Sequence, residues 1–171
     1  LEKIAVYSRE AVQTMDDVIW AIDSRNNSAG SLEDRMRFLV SQILPMQDVD
    51  VQFDINLHSA GQLPQYVRQN VYLIFKEALH NISKHSPEGK VDVFLKIDAH
   101  QLILRLSNTL QFTGGAASDT RYPRRGQGIS NMKRRSEAIG AKLDVERSGS
   151  YYHLQLVAKL NVKKLFFNLF N

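Results

Sequence analysis

Several features are missing from this 171-residue sequence, and each absence excludes a class of function. There is no cysteine, which excludes disulfide frameworks, zinc–thiolate sites and cysteine nucleophiles. A chain without cysteine is compatible with a reducing cytoplasm. No apolar run approaches the roughly 20 residues that a membrane-spanning helix needs. The chemistry of this chain must therefore rest on oxygen and nitrogen side chains and on backbone groups.

The composition is that of an ordinary globular domain, with 43% hydrophobic and 23% charged residues. The net charge is +4. A basic balance indicates nucleic acid, anionic lipid or phosphate-bearing ligands, and the alternative is a solvated charged surface. The densest basic cluster brackets a glycine-containing loop and consists of Arg121, Arg124, Arg125, Lys133, Arg134 and Arg135. Because the chain begins at Leu1 inside a helical pattern, we expect it to be a piece of a longer protein.

Hydrophobic periodicity divides the first half of the chain into three helices and one strand. The predicted elements are a helix over 1–23, a helix over 31–44 that a capping box at Ser31 begins and Pro45 ends, a strand over 51–57, and a long helix from Gln65 to His85. The long helix carries an apolar stripe of Val71, Phe75, Ala78 and Ile82.

The second half predicts two hairpins separated by a loop and a short helix. The predicted elements are strands over 91–97 and 102–106, an aperiodic loop over 109–125, a helix over 129–139 capped by Gly140, and strands over 142–147 and 151–158. The role of the apolar tail 161–171 stays open. Helices placed between paired strands predict an α+β fold, a two-layer sandwich whose mixed sheet is covered by helices on one face.

Three polar residues share one face of the long helix, at spacings of four and three: Glu77, Asn81 and Lys84. Asparagine is a poor helix former, so its place in mid-helix needs a reason. A carboxamide oxygen is a suitable Mg²⁺ ligand, and magnesium bridges nucleotide phosphates. A nearby carboxylate can hold a water or accept a proton. In isolation, a solvated helix face is the more common explanation of these residues, because Glu, Asn and Lys are frequent on such faces.

Gly126-Gln-Gly128 lies where the loop meets the short helix. Glycines let the backbone approach a ligand closely, and the start of a helix offers free N–H groups to a phosphate. An ordinary glycine turn before a helix is the alternative.

Two segments together resemble the catalytic domains of two-component sensor histidine kinases, in the GHKL ATPase superfamily. The stretch Val71-Tyr-Leu-Ile-Phe-Lys-Glu-Ala-Leu-His-Asn-Ile-Ser-Lys-His-Ser86 is similar to the N box, Glu-Ala-x-x-Asn-x-x-Lys-His/Tyr. The stretch Gly126-x-Gly128-Ile-x-Asn-Met is similar to the G2 box. The resemblance covers about residues 31–160. It implies the Bergerat-type ATP-binding fold, protein histidine kinase activity, and ATP and Mg²⁺ as ligands.

The resemblance also implies roles for single residues. Asn81 would coordinate Mg²⁺, Glu77 would be the catalytic residue, Lys84 and His85 would contact phosphate or ribose, Asn108 would bind adenine, and Gly126 and Gly128 would admit the phosphates. Residues 109–125 would form the ATP lid, with Arg121, Arg124 and Arg125 near phosphate. One motif departs from the family: Asn108 and Leu110 replace the Asp and Gly of the G1 box, which implies weaker adenine binding. A degenerate signal relay with weak or no ATP binding is therefore the alternative function.

The N-terminal helix is similar to the second dimerisation helix of the subgroup with divergent dimerisation helices. None of the five histidines (His58, His80, His85, His100 and His153) lies in a phosphoacceptor context, so the acceptor is expected upstream of Leu1. The implied organisation is a partial dimerisation region over 1–25, an ATP-binding domain over 26–160 and a tail over 161–171. The implied partners are a response regulator receiver domain and a second copy of the parent, without nucleic acid. The domain would be cytoplasmic, and any membrane contact would belong to other parts of an inner-membrane parent.

A third hypothesis is a different ATPase of the same superfamily, such as a chaperone or a repair protein, which hydrolyses ATP without a phosphohistidine. The similarity of residues 9–22 to a dimerisation helix argues against it.

Overall fold

The computed structural model describes residues 15, 19–20, 28–44, 49–55, 63–85, 90–109, 127–148 and 151–160. The helices are α1 (Ala29–Ile43), α2 (Gln65–His85) and α3 (Gln127–Ala138). The strands are β1 (Val49–Ile55), β2 (Val91–Ile97), β3 (Gln101–Thr109), β4 (Ala141–Ser148) and β5 (Tyr151–Lys159). Met15, Ile19 and Trp20 are also helical and are called here the N-terminal segment. The limits predicted for α2 and β2 are confirmed.

The five strands form one mixed sheet in the order β1-β2-β3-β5-β4. β1 runs parallel to β2, whereas the pairs β2–β3, β3–β5 and β4–β5 are antiparallel. The parallel pair follows from the long connection through α2, since only a crossover can bring the chain back in the same direction. The two predicted hairpins and the mixed sheet are confirmed.

One face of the sheet supplies the core. Along β2 and β5 buried residues alternate with more exposed ones, as expected for a sheet with a single covered face. The predicted apolar stripe of α2 is confirmed, because Val71, Phe75, Ala78 and Ile82 are all at most 1% exposed. The buried residues of the helices and strands form one continuous cluster. The α+β two-layer architecture is therefore confirmed.

The start of α1 differs from the prediction. Ser28, not Ser31, is the N-cap: the Ser28 hydroxyl accepts a hydrogen bond from the Ser31 N–H at 3.0 Å, and the Ser31 hydroxyl donates to the Ser28 carbonyl at 2.8 Å. Two serines three residues apart compete for this position, and Ser28 has the extended backbone that a cap requires. The helix therefore begins two residues earlier than predicted.

β3 is longer than predicted, which matters for the site. The sequence pattern predicted a strand over 102–106, because polar residues follow Leu106. The structure continues the strand to Thr109, since β5 pairs with it residue by residue as far as Tyr151. Asn108 therefore lies inside the sheet instead of in a loop.

The turns that the sequence predicted around Asp98 and Gly140 are confirmed. The Asp98 carboxylate accepts hydrogen bonds from the N–H groups of His100 and Gln101, at 2.8 and 2.9 Å. Gly140 has a φ of 62° and ends α3, a conformation that glycine adopts without steric cost. The predicted lid, the tail 161–171 and most of the predicted helix 1–23 lie outside the described residues. Among the helices that the structure does describe, none is long and apolar enough to cross a membrane.

Candidate nucleotide site

The first turn of α3 lies directly against the Glu77 side chain of α2. A Cβ atom built on Gly128 would collide with the Glu77 carboxylate oxygen Oε1, and would lie 3.0 Å from Cδ and 3.5 Å from Cγ. The observed position of the Glu77 side chain is therefore possible only because residue 128 has no Cβ, and no unusual backbone angle at Gly128 is involved. The structure thus brings together one residue from each of the two predicted boxes.

The polar face of α2 continues from Glu77 towards the end of the helix. Asn81 follows one turn later and is half-buried, as Glu77 is, whereas Lys84 is exposed. This gradient places the acid and the amide at the edge of the core, as their spacing relative to the apolar stripe predicted. Lys84 also interacts with other residues of the domain. His85 is the last residue of α2, and its side chain lies outside the described part of the chain.

Arg135 is partly buried on α3, and sequence reasoning did not single it out from its basic neighbours. It lies two helical turns after Gly128, so both residues project from the same face of α3. Arginine side chains on helices extend towards the N-terminus, which directs this one back towards Gly128. Burial lowers the pKa of Arg135, the neighbouring Arg134 lowers it further, and the Glu77 carboxylate opposes the shift. The guanidinium nevertheless stays charged at physiological pH.

Arg135 differs in burial from the neighbouring basic residues of α3, because the helix packs with one face against the core. Met132 is fully buried and Ser136 is 3% exposed, so this face of the helix is turned to the core. Lys133 and Arg134 are exposed. A helical wheel of 127–138 contains this signal, because Gly128, Met132 and Arg135 recur at spacings of four and three.

Asn108 is buried and unsatisfied. Asn108 is 1% exposed. Among the described residues, neither the amide nitrogen nor the amide oxygen of its side chain has a hydrogen-bond partner. Leaving such a group unpaired costs about 1–3 kcal/mol, so a native fold that keeps it needs a reason. A carboxamide offers a donor and an acceptor side by side, which matches the donor and acceptor on the edge of an adenine ring.

Tyr152 is the cross-strand neighbour of Asn108 and was not predicted as a site residue. The two side chains lie on the same covered face, and Tyr152 is 8% exposed. Alternation along β5 contained the signal, since Tyr152 is in phase with the buried Leu154 and Leu156. That Tyr152 lies opposite Asn108, however, follows only from the register between β3 and β5.

The start of α3 combines a helix N-terminus with the Glu77 carboxylate of α2, which lies against it. The first turn of this 12-residue helix contains no acidic residue, and helix N-termini carry positive partial charge. Among the described residues there is no cluster of three or more His, Asp or Glu side chains that could hold a metal. The available donors, the Asn81 amide and the Glu77 carboxylate, fit Mg²⁺ carried in with phosphates and its own waters. Gly126 and the arginines of the predicted lid lie outside the described residues.

No family model matches the chain. Two curated relatives match it in sequence, both from Bacillus subtilis strain 168. The sensor histidine kinase YxjM is 25% identical over 159 residues, which cover 91% of this chain and 37% of YxjM. The sensor histidine kinase LiaS is 28% identical over 115 residues, which cover 67% of this chain and 30% of LiaS. The chain thus spans about a third of the length of these relatives.

Solved structures share the fold at low sequence identity. The histidine kinase domain of the Erythrobacter litoralis EL346 blue-light-activated histidine kinase superposes with a TM-score of 0.58 at 18% identity, covering 81% of this chain and 64% of that one. The Acinetobacter baumannii histidine kinase AdeS gives 0.56 at 14% identity, covering 94% and 82%. The catalytic domain of the histidine kinase ThkA gives 0.53 at 11% identity, covering 77% and 93%. The architecture is therefore that of histidine kinase catalytic domains.

Proposed function

We propose that this chain binds ATP with Mg²⁺ and supplies the γ-phosphoryl group to a histidine elsewhere in a longer parent. The proposal rests on the chain's sequence similarity to sensor histidine kinases and on the fold that it shares with their catalytic domains. The contact between Glu77 and Gly128 is the observation that carries this proposal. It places a carboxylate against the start of a helix, at a position where residue 128 has no side chain of its own. Phosphoryl transfer needs such positioning and electrostatic stabilisation more than it needs covalent chemistry from the protein.

In this proposal, different parts of the domain bind the adenine and the phosphates of the nucleotide. Asn108 binds the adenine edge through its unpaired amide, at the end of β3. The backbone N–H groups at the start of α3 bind phosphate next to Gly128, with Gly126 completing the turn. Lys84 and His85 contact phosphate or ribose.

Asn81 and Glu77 act at the phosphates. The Asn81 carboxamide oxygen is a ligand for Mg²⁺, which when bound neutralises charge on the phosphate oxygens. Glu77 accepts the proton from the ring nitrogen of the attacking histidine, directly or through a held water. The Arg135 guanidinium and the Glu77 carboxylate interact electrostatically.

The parent protein is expected to be a homodimer that passes the phosphoryl group to an aspartate of a response regulator receiver domain. In this proposal residues 1–25 are part of the dimerisation region, residues 26–160 are the cytoplasmic ATP-binding domain, and residues 161–171 have no assigned role. Any membrane attachment belongs to other parts of the parent.

Calorimetry on this chain tests nucleotide binding. We expect Asn81→Ala to abolish the heat of Mg²⁺-ATP binding while the circular dichroism spectrum is unchanged. Asn70→Ala is the matched control on the same helix, because the Asn70 side chain donates a hydrogen bond to the Tyr66 carbonyl at 2.7 Å and lies three helical turns before Asn81. If the unaltered chain gives no heat at millimolar Mg²⁺-ATP, the domain is a degenerate relay and the proposal is wrong.

Trapping of labelled phosphohistidine on the intact parent tests the transfer step. Acid-labile, base-stable label on a histidine is the expected result, and Glu77→Gln should reduce it strongly while ATP still binds. Hydrolysis of ATP without phosphohistidine would instead indicate another kind of ATPase of the same superfamily.

A further inference from the structure

Trp20, the only tryptophan of the chain, is held by residues of α2. Its ring centroid lies 5.0 Å from that of Tyr72. The guanidinium carbon of Arg68 lies 4.9 Å from the Trp20 ring centroid, and Arg68 Nη1 donates a hydrogen bond to the Trp20 carbonyl oxygen at 3.2 Å. The tryptophan is therefore held both through its ring and through its backbone.

Arg35 of α1 approaches the same group of rings. Its guanidinium carbon lies 5.9 Å from the Trp20 centroid and 5.7 Å from the Tyr72 centroid. Two cations and two aromatic rings from three separate segments therefore meet in one place. Trp20, Arg35, Arg68 and Tyr72 are called here the Trp20 cluster.

Trp20 is partly buried and packs against the hydrophobic core of the domain. Arg68 and Tyr72 are both 0% exposed. A buried guanidinium needs partners that replace water, and Trp20 supplies a π face and a carbonyl oxygen. Cation–π attraction is stronger when the cation is desolvated. By contrast, Met15 and Ile19 of the same segment are 63% and 62% exposed, so among the described residues of this segment Trp20 is the one that docks.

The helix that receives Trp20 is also the helix of the candidate nucleotide site. Tyr72 lies between Arg68 and Glu77 on α2, and Asn81 follows nine residues after Tyr72, about 14 Å along the axis. A continuous helix is stiff over that length, so the orientation of its first turns determines the orientation of its last ones.

We propose that the Trp20 cluster is a docking contact that holds the N-terminal segment in one orientation relative to α2, so that this segment and the nucleotide-site helix move as one body. The proposal concerns the relation between two segments of the chain and goes beyond nucleotide binding.

Distance measurements between two spin labels test the docking directly. The chain has no cysteine, so Met15→Cys and Lys142→Cys provide unique labelling sites, both exposed. Excess unlabelled chain removes distances between different molecules. We expect one narrow distance distribution, which Trp20→Ala broadens about twofold. Tyr66→Ala is the control, since Tyr66 is an exposed aromatic residue on α2. A broad distribution in the unaltered chain, or a narrow one that Trp20→Ala leaves unchanged, overturns the proposal.

Intrinsic fluorescence provides a second measurement if Trp20→Ala fails to fold. In Arg68→Met, Trp20 stays the only tryptophan, the nearer of its two cations is removed, and the buried volume is roughly retained. We expect emission at longer wavelength and an acrylamide quenching constant that rises about twofold. Unchanged emission and quenching in a folded Arg68→Met variant overturns the proposal. Neither measurement involves nucleotide, so a negative result here is distinguishable from a failure of the proposed ATP site.

Discussion

The Glu77 carboxylate fills the space that a side chain at position 128 would occupy. Two residues from separate helices thereby form one surface, in which the acid of α2 covers the first turn of α3. This arrangement requires that residue 128 has no Cβ, and it makes the position of the acid dependent on that absence.

Gly128→Ala should leave the domain folded and impair its site. Alanine favours a helix over glycine by about 1 kcal/mol, and the colliding atoms are the mobile end of a side chain that can swing away. We expect at least about a tenfold loss of Mg²⁺-ATP affinity, or roughly 1.4 kcal/mol, measured by calorimetry. Gly30→Ala is the control, because its new methyl group would meet only the Ser28 hydroxyl at 3.9 Å.

A double-mutant cycle separates this contact from other effects of the methyl group. In a Glu77→Ala background, Gly128→Ala should cost little stability, because the carboxylate that it displaces is gone. We expect a coupling energy of about 0.5–3 kcal/mol from urea unfolding. Strictly additive energies would show that the two side chains do not compete for the same space.

Asn108→Leu should separate folding from binding. Leucine is similar in size and needs no hydrogen bond, so it removes an unpaired buried amide that costs about 1–3 kcal/mol. We expect an unfolding temperature equal to or above that of the unaltered chain, together with loss of ATP binding. Ser107→Ala, on the opposite face of the same strand, should change neither. Tight ATP binding by the Asn108→Leu variant would show that Asn108 does not bind adenine.

Arg135→Met should lower phosphoryl transfer without loss of stability. Burial disfavours the charge of Arg135, so an unbranched apolar side chain fits its surroundings at least as well. The Glu77 carboxylate, however, loses its positive neighbour. In the intact parent we expect about a tenfold slower autophosphorylation, or roughly 1.4 kcal/mol in the barrier. The exposed Arg134→Met is the control, and equal effects of both changes would contradict a specific role for Arg135.

The Asp98 turn should show a defined pH dependence. Backbone hydrogen bonding, first from His100 and also from Gln101, lowers the pKa of Asp98 below its ordinary value of 3.8. A depressed pKa means that the carboxylate stabilises the fold above the unfolded-state pKa, and that this is lost as pH falls through the lower folded-state pKa. Since the turn is exposed and screened, Asp98→Ala should cost only about 0.5 kcal/mol at neutral pH.

Urea unfolding at neutral pH and below pH 3.8 measures this difference. The free energies of unfolding of the unaltered chain and of Asp98→Ala should converge at the lower pH. Asp98→Asn retains an acceptor for the same N–H groups and should lie between them at neutral pH. A difference that persists unchanged at low pH would attribute the effect to packing and not to the charge.

Much of the fold could be predicted from local pattern. The stripe of Val71, Phe75, Ala78 and Ile82 indicated which face of α2 is buried, because a helix of this length can bury only one apolar stripe against a sheet. The turn at Asp98 and the left-handed Gly140 followed from side-chain and backbone chemistry within a few residues. Prediction was wrong at Ser31, where two serines offer competing caps, and at the end of β3, where pairing with β5 overrides a polar sequence.

The sequence by itself determined which groups are available to the site: an acid and an amide one turn apart on α2, glycine at the start of α3, and an amide near the end of β3. Helical and strand periods depend only on neighbouring residues, so these spacings can be read without knowing which segments pack together. Only the tertiary structure decided that Glu77 lies on Gly128 and that Trp20 meets Arg68 from 48 positions away. It also decided that Asn108 is buried beside Tyr152 with no side-chain hydrogen bond to any residue that the structure describes. Contacts between distant segments depend on the sheet register and on how helices pack over it, and no local pattern encodes them.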